Sequence, residues 1–413
     1  MLQNIANHAA GKVLKSDGFQ ISTEAKQHKK VDPSVIDGTL GTFYYDDGSF
    51  HTHNVVKKVM NSLVDEDIYL YSTSDGTKEF RESVIKYLFQ DTLELLEKEM
   101  TIRAIPTPGG TGALTVSSYN SLDHGQTLLI PTPCWGPYVG IGKGHGFEVE
   151  KFFMFDGDAF NLKGFIEKCE QIIEKQGKVV ALINDPCNNP TGYTMTREEL
   201  AAVIEYMNSR KGVPFVLIYD CAYMDMAVEG MKETRNKLEV FANANENIVI
   251  NVAFSASKTF FIYGQRLGAQ IILSKNEKAV IDYFNAGNYY ARNTWSNCNK
   301  GMVSLVSKVL SSEELMKDFK VELQVVIDEL DKRAKLFLAE AKEIGLYTYP
   351  YMSGFFITIP CNNIEKVIEE LKKDEKVYLL SVDGGVRVAI CSLSMEDVKG
   401  LAAKIQRVIS KNS

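Results

Sequence analysis

Ile248-Val-Ile-Asn-Val-Ala-Phe-Ser-Ala-Ser-Lys-Thr-Phe-Phe-Ile-Tyr-Gly-Gln-Arg266 begins as an apolar run of strand type and ends abruptly in small polar residues around one lysine. Lys258 therefore falls on the turn after a strand, not on the charged face of a helix. Near Phe254, Phe260, Phe261 and Arg266, its ammonium form is disfavoured by lost hydration and by a like charge. A lysine in that state is an amine nucleophile. The competing reading is a strand cap that points to water, the fate of most lysines.

Outward from this stretch, short apolar runs alternate with helical patterns from about residue 101, the signature of βαβ units and a largely parallel sheet. The expected strands are Thr127–Ile130, Val179–Ile183, Phe215–Ile218, Ile248–Val252 and Leu267–Leu273, with helices such as Asn161–Lys175 and Arg197–Ser209 between them. Earlier helices are predicted from about His53-Asn54 to Val64 and from Thr77 to about Lys98. Residues 1–50 read as an extended arm. A long amphipathic stretch from Glu313 to about Ile344 leads to strands at Gly354–Ile359, Val377–Leu380 and Val386–Ile390, with helices Asn363–Lys372 and Met395–Ile409. The expectation is an α/β chain with an arm (1–50) that also joins the small domain. A large domain (51–315) and a smaller α+β domain (316–413) follow.

The chain has 413 residues, 45% hydrophobic and 24% charged, enough for two cores, and a net charge of −7 that disfavours nucleic acid or an anionic membrane. Seven cysteines, at 134, 169, 187, 221, 298, 361 and 391, are odd in number and form no Cys-x-x-Cys pair, so they read as reduced thiols. With no secretory pattern at Met1–His8, the expected location is cytoplasmic.

Chemically suggestive residues follow the strand runs, where open parallel sheets bind ligands. Gly110-Thr111-Gly112 opens a helix-like run, Ala113–Leu122, and is either a phosphate cradle or an ordinary glycine turn. Without a third glycine in register, it is no dinucleotide fingerprint. Trp135 is either core or a stacking platform. Asn184-Asp-Pro-Cys-Asn-Asn-Pro-Thr-Gly192 is a turn whose asparagines can only hydrogen-bond. Asp220 needs a positive partner or caps the following turn. Arg387, between Val386 and Val388, needs an anion, which a structural ion pair would also supply.

Ser255-Ala-Ser-Lys258 with Arg266, Asn188-Asn-Pro-Thr-Gly192, Asp220 with Tyr223, the glycine segment and Arg387 resemble, in order, the class I and II aminotransferases of the aspartate aminotransferase group. The resemblance runs from about Tyr71 to Arg387. It implies pyridoxal phosphate (PLP) fold type I, a large domain with a mostly parallel central sheet, and a homodimer with shared active sites. It implies a PLP Schiff base on Lys258, with Asp220 on the ring nitrogen and Asn189 and Tyr223 on the ring oxygen. Gly110, Thr111, Gly112, Ser255, Ser257, Arg266 and Trp135 complete the cofactor set. Tyr71, or Tyr69, would reach the partner's phosphate. Substrate would meet Arg387 through its α-carboxylate, Gly41, Trp135, Asn189 and, from the partner, Arg292 through a side-chain carboxylate. By the same resemblance, Thr132–Pro133 and Asn189–Pro190 are expected to be cis.

The implied reaction is amino-group transfer from an acidic or aromatic L-amino acid to a 2-oxo acid such as 2-oxoglutarate. Trp295, Tyr289 and Tyr290 are available for an aromatic ring. A C–S lyase or decarboxylase of the same fold is the neighbouring alternative, and a non-catalytic PLP-binding effector-sensing module the more distant one. The sequence departs from the family at Gly109, where Ser or Ala is common, and at Phe260-Phe261, where residues are smaller. His51-Thr-His53 lacks the company of metal ligands and reads as two surface histidines.

Overall fold

The computed structural model describes residues 4–13 and 18–412; residues 1–3, 14–17 and 413, including parts of the N-terminal stretch read as an arm, lie outside the described residues. The seven strands of its main sheet, in chain order, are β1 (Thr101–Thr107), β2 (Thr127–Thr132), β3 (Glu148–Phe153), β4 (Val179–Asn184), β5 (Phe215–Asp220), β6 (Ile248–Ser255) and β7 (Gly268–Ser274). They lie in the order β1-β7-β6-β5-β4-β2-β3. Only β7 runs against its neighbours β1 and β6; the other pairs are parallel.

Central strands are continuous apolar runs because both faces are covered. Leu128, Ile130, Val180, Leu182, Val216 and Ile218 pack on one face with Ala113, Leu114 and Tyr138. Leu129, Ala181, Ile183, Leu217, Tyr219 and Val252 pack on the other, with Phe165, Leu200 and Val203 from the helices Leu162–Gln176 and Arg197–Ser209. The second of those helices carries a Thr196/Glu199 capping box. Helix Glu313–Glu343, capped by Ser312, leads to a three-stranded antiparallel sheet in which Gly385–Ala389 lies between Phe356–Pro360 and Leu380–Val382. Among the described residues no helix is long and apolar enough to cross a membrane.

Several expectations change. Within the stretch read as an arm, Gly18–Val31 is a helix, and Ile36–Asp37 pairs with Val377–Tyr378. Its buried stripe is narrow, with Ser22 and Ala25 inside, so periodicity was weak. The helix expected from Thr77 to Lys98 breaks after Phe89, at Gln90 with φ 43°, and resumes at Leu93. Edge strands β1 and β3 carry Arg103, Pro106, Glu148, Glu150 and Lys151, which suit a sheet border but mask the strand pattern. Cis bonds occur at Thr132–Pro133 and Asp185–Pro186, not at Asn189–Pro190. All three are X–Pro bonds, where cis is only modestly disfavoured, so the motif did not discriminate. His51 and His53 are buried, at 4% and 0% exposure, and not on the surface.

Candidate active site

Because the strands are parallel, their carboxyl ends deliver Thr132, Asn184, Asp220 and Ser255 to one edge of the sheet. The antiparallel β7 enters at that edge, with Gly268 opposite both Thr107 and Ser255. A Cβ on Gly268 would lie 2.6 Å from the Gly109 carbonyl carbon, so glycine is what lets the loop after β1 close over β7.

Lys258 sits on the short helical turn Ala256–Thr259, in which the Ser257 N–H donates to the Ser255 hydroxyl. Its Nζ donates to the Gly41 carbonyl at 3.3 Å and lies 4.7 Å from the ring centre of Tyr263 and 5.7 Å from that of Tyr223. Burial pushes the amine down to about 8, and the charges of Arg387 and Arg266 act in the same direction. A strand cap in open water would show none of this.

Asp220 is held at the end of β5 with both oxygens engaged: Tyr138 Oη donates to Oδ2 at 2.5 Å and the Ala222 N–H to Oδ1 at 3.0 Å. Burial nevertheless raises its carboxyl to about 6. The Tyr138 and Ala222 bonds pull it the other way. Such a carboxylate gains from a cation placed beside it. Asn184 ties the edge together, with its Nδ2 donating to the Asp220 carbonyl at 2.8 Å and its Oδ1 accepting from the Asn189 N–H at 2.7 Å. Asn189 Nδ2 faces Tyr223 Oη at 3.5 Å, and Asn189 Oδ1 accepts from Arg387 Nη1 at 3.2 Å.

Arg387 comes from the central strand of the smaller sheet. Its Nη2 donates to the Thr39 carbonyl at 2.6 Å and its guanidinium lies 4.2 Å over the Phe356 ring. It is 7% exposed, yet none of the ion pairs among the described residues joins it to a carboxylate, and its buried Nε has no partner. The structural ion pair that the sequence left open is therefore absent there, and a buried cation remains whose charge no carboxylate among the described residues meets.

At the other end of the cluster, the helix Gly109–Ser121 begins four residues earlier than its apolar pattern indicates, so Gly110, Thr111 and Gly112 lie in its first turn, where the Gly110 and Thr111 N–H groups have no intrahelical acceptor and no side-chain cap. Ser255, Ser257 and Arg266 gather beside it: Arg266 Nη1 donates to Ser257 Oγ at 3.0 Å, and a Cβ on Gly110 would lie 3.0 Å from that of Ser255. The departure at Gly109 has a cause. Its φ is 75° and a Cβ there would lie 2.3 Å from Arg266 Nη2. Gly109→Ala should cost about 1–2 kcal/mol in urea unfolding and weaken anion binding, because the left-handed backbone and Arg266 must both give way. Unchanged phosphate affinity in the variant would contradict the cradle.

Phe260 and Phe261 turn out to be core: Phe260 packs on Phe319, and Phe261, at φ 52°, packs edge-on to His51 and His53. Trp135 is half-buried, 5.4 Å from Tyr138. Tyr71 and Tyr69 are 90% and 77% exposed, and Arg292 is exposed with its guanidinium on Ser296, so within one chain these three stay outside the cluster. Sequence reasoning passed over Tyr138, Asn184 and Tyr263. Tyr263 lay in the stretch first quoted, five residues beyond the lysine, and Asn184 opens the asparagine turn.

The class I and II aminotransferase family matches residues 35–405. The aspartate aminotransferase of Haemophilus influenzae is 26% identical over 407 residues, covering 95% of this chain and 96% of that protein. An aminotransferase structure from Anaerococcus prevotii DSM 20548 superposes with a TM-score of 0.94 at 29% identity, covering 99% of this chain and 100% of that one. The aromatic-amino-acid aminotransferase of Burkholderia pseudomallei, solved covalently bound to pyridoxal phosphate, gives a TM-score of 0.82 at 22% identity, covering 98% and 100%. A lysine of lowered basicity, a buried carboxylate in want of a cation and an open helix N-terminus share one sheet edge in a chain that belongs to the class I and II aminotransferases, PLP-dependent enzymes of fold type I that act on amino acids and 2-oxo acids.

Proposed function

We propose that this chain transfers the amino group of an acidic or aromatic L-amino acid to a 2-oxo acid such as 2-oxoglutarate, with Lys258 as the residue that carries PLP and moves the substrate proton. The observation that carries this reading is the buried guanidinium of Arg387, which has no carboxylate partner among the described residues and an unbonded Nε, and which would bind the α-carboxylate bidentately on the side of the site where Lys258 and Asn189 lie. The donor set fits the cofactor. Gly110, Thr111, Gly112, Ser255, Ser257 and Arg266 would hold its phosphate, Asp220 its ring nitrogen, Asn189 and Tyr223 its ring oxygen, and Trp135 one ring face. PLP supplies an electron-withdrawing ring that stabilises negative charge at the substrate α-carbon.

Lys258 takes up a proton only as the neutral amine, so its lowered basicity matters. Amino-group transfer from the amino acid should rise with pH through about 8 and level off above it. A stopped-flow profile that is flat from pH 6 to 10, or that falls through 8, would refute proton transfer by this amine.

Relatives named for aspartate and for aromatic amino acids leave both substrate classes in view. Turnover of aspartate, glutamate, tyrosine and phenylalanine with 2-oxoglutarate decides between them. If Arg292 of the partner meets a side-chain carboxylate, Arg292→Ala should slow aspartate by about 10–100-fold and phenylalanine far less, since removing one charged hydrogen-bonding partner costs about 1.5–3 kcal/mol. Equal rates for aspartate in variant and parent would remove that role. The exposed apolar group Val64, Ile68, Tyr69, Leu70 and Tyr71 supports a second copy as its cover, and light scattering should return the mass of a dimer. Seven free cysteines suit a reducing, cytoplasmic setting.

A further inference from the structure

One hydrogen-bonded chain, running from the half-buried Tyr45 through two buried histidines, takes no part in that reading. Tyr45 Oη lies 2.7 Å from His51 Nδ1, His51 Nε2 lies 3.2 Å from His53 Nδ1, and His53 Nε2 lies 3.2 Å from the carbonyl of Thr259, the residue after Lys258. A carbonyl only accepts, so His53 carries its proton on Nε2. Its Nδ1 then accepts from His51 Nε2–H, and His51 Nδ1 accepts from the Tyr45 hydroxyl. Both imidazoles are thus neutral and locked in one tautomer.

The same pair grips the turn a second time. Phe261 holds a left-handed backbone at φ 52° without being glycine, and its ring sits edge-on to both imidazoles, at 4.5 Å from His51 and 4.9 Å from His53. On the opposite side, Thr259 Oγ1 donates to Asp225 Oδ2 at 2.7 Å, and Asp225 pairs with the buried Arg235. The charged groups facing the histidines are Glu322, Asp225 and Lys57, with Glu329 and Asp47 toward Tyr45. Glu322 is committed to the N–H groups of Asn54 and Val55, which open the helix that follows His53. Burial holds both histidines down to about 4, which keeps the chain neutral over the working range.

We infer that Tyr45, His51 and His53 are positioning residues for Lys258: a neutral, tautomer-locked chain that fixes the Thr259 carbonyl and clamps the strained Phe261, and so aims the lysine. The inference rests on the reading of Lys258 as the reactive amine.

The test begins with the parent protein. In 15N-histidine spectra, two histidines should stay in the Nε2–H tautomer and not titrate from pH 8 down to about 5. An Nδ1–H tautomer, or ordinary titration near 6.5 of either, overturns the chain. His53→Ala should then shift the pH midpoint of the visible band formed on adding PLP and lower kcat by about tenfold with KM changed less than about twofold, as a misaimed group does. His53→Gln, whose amide can donate to the Thr259 carbonyl, should recover both. If His53→Ala does not fold, Tyr45→Phe breaks only the outermost link: His51 should keep its Nε2–H, which His53 Nδ1 still accepts, while its Nδ1 resonance shifts on losing the hydroxyl donor, and the midpoint should move in the same direction, by less. A folded His53→Ala with unchanged midpoint and kcat, or Tyr45→Phe with an unchanged midpoint and an unshifted His51 Nδ1 resonance, overturns the proposal. A parent protein that forms no visible band, with both histidines locked as described, would instead overturn the assignment of PLP to Lys258 and leave the chain standing.

Discussion

Lys258→Ala should lower amino-group transfer by about 10²–10⁴-fold, the range lost when a positioned proton-transfer group is removed, while the protein still folds. The expectation rests on where the amine is. Its Nζ is held by one carbonyl, that of Gly41, and by the faces of Tyr263 and Tyr223, and no carboxylate among the described residues pins it in place, so it can swing. The lost side chain leaves the Thr259 anchors to His53 and Asp225 untouched, which is why the fold should survive. Substrate affinity should change little, since Arg387 is a separate element on another sheet. Steady-state rates, with circular dichroism as the folding control, check this. A residual rate within about tenfold of the parent would mean that another group moves the proton.

The second large effect is on stability. Arg235 is 1% exposed and its Nη2 pairs with Asp225 Oδ1 at 2.6 Å, while Nε donates to the Tyr87 carbonyl at 3.1 Å and the guanidinium lies 4.9 Å over the Tyr87 ring. Arg235→Ala leaves the Asp225 carboxylate buried with the Thr259 hydroxyl in place of a cation, and it opens a cavity. Breaking such a pair from one side costs about 3–5 kcal/mol. Denaturant unfolding should show that loss, and PLP should be released more readily, because Asp225 also anchors the residue next to Lys258. A change below about 1 kcal/mol would show that the pair is dispensable.

The legible parts of the fold were those where burial writes a plain pattern. Val179–Ile183 and Phe215–Ile218 stood out because both faces of the sheet are covered, yet each strand runs on to a polar residue, Asn184 and Asp220, which remain paired in register. The apolar run thus ended just before the residues that build the site. The border strands were hidden by their own charges and proline. The pair His51 and His53 could not be placed inside from composition, because what allows their burial is a partner on each ring nitrogen, and those partners come from Tyr45 and from Thr259 far along the chain. Tyr138 was missed for a similar reason: its bond to Asp220 joins residues 82 apart. Spacing pointed to the strand ends, but not to which side chains meet there.

Lys258 is the proposed point at which PLP attaches. Protein incubated with PLP, reduced with borohydride and digested should carry the pyridoxyl group on the peptide containing Lys258, with loss of the visible band. A label on another lysine, or no label on the folded parent protein, would contradict it.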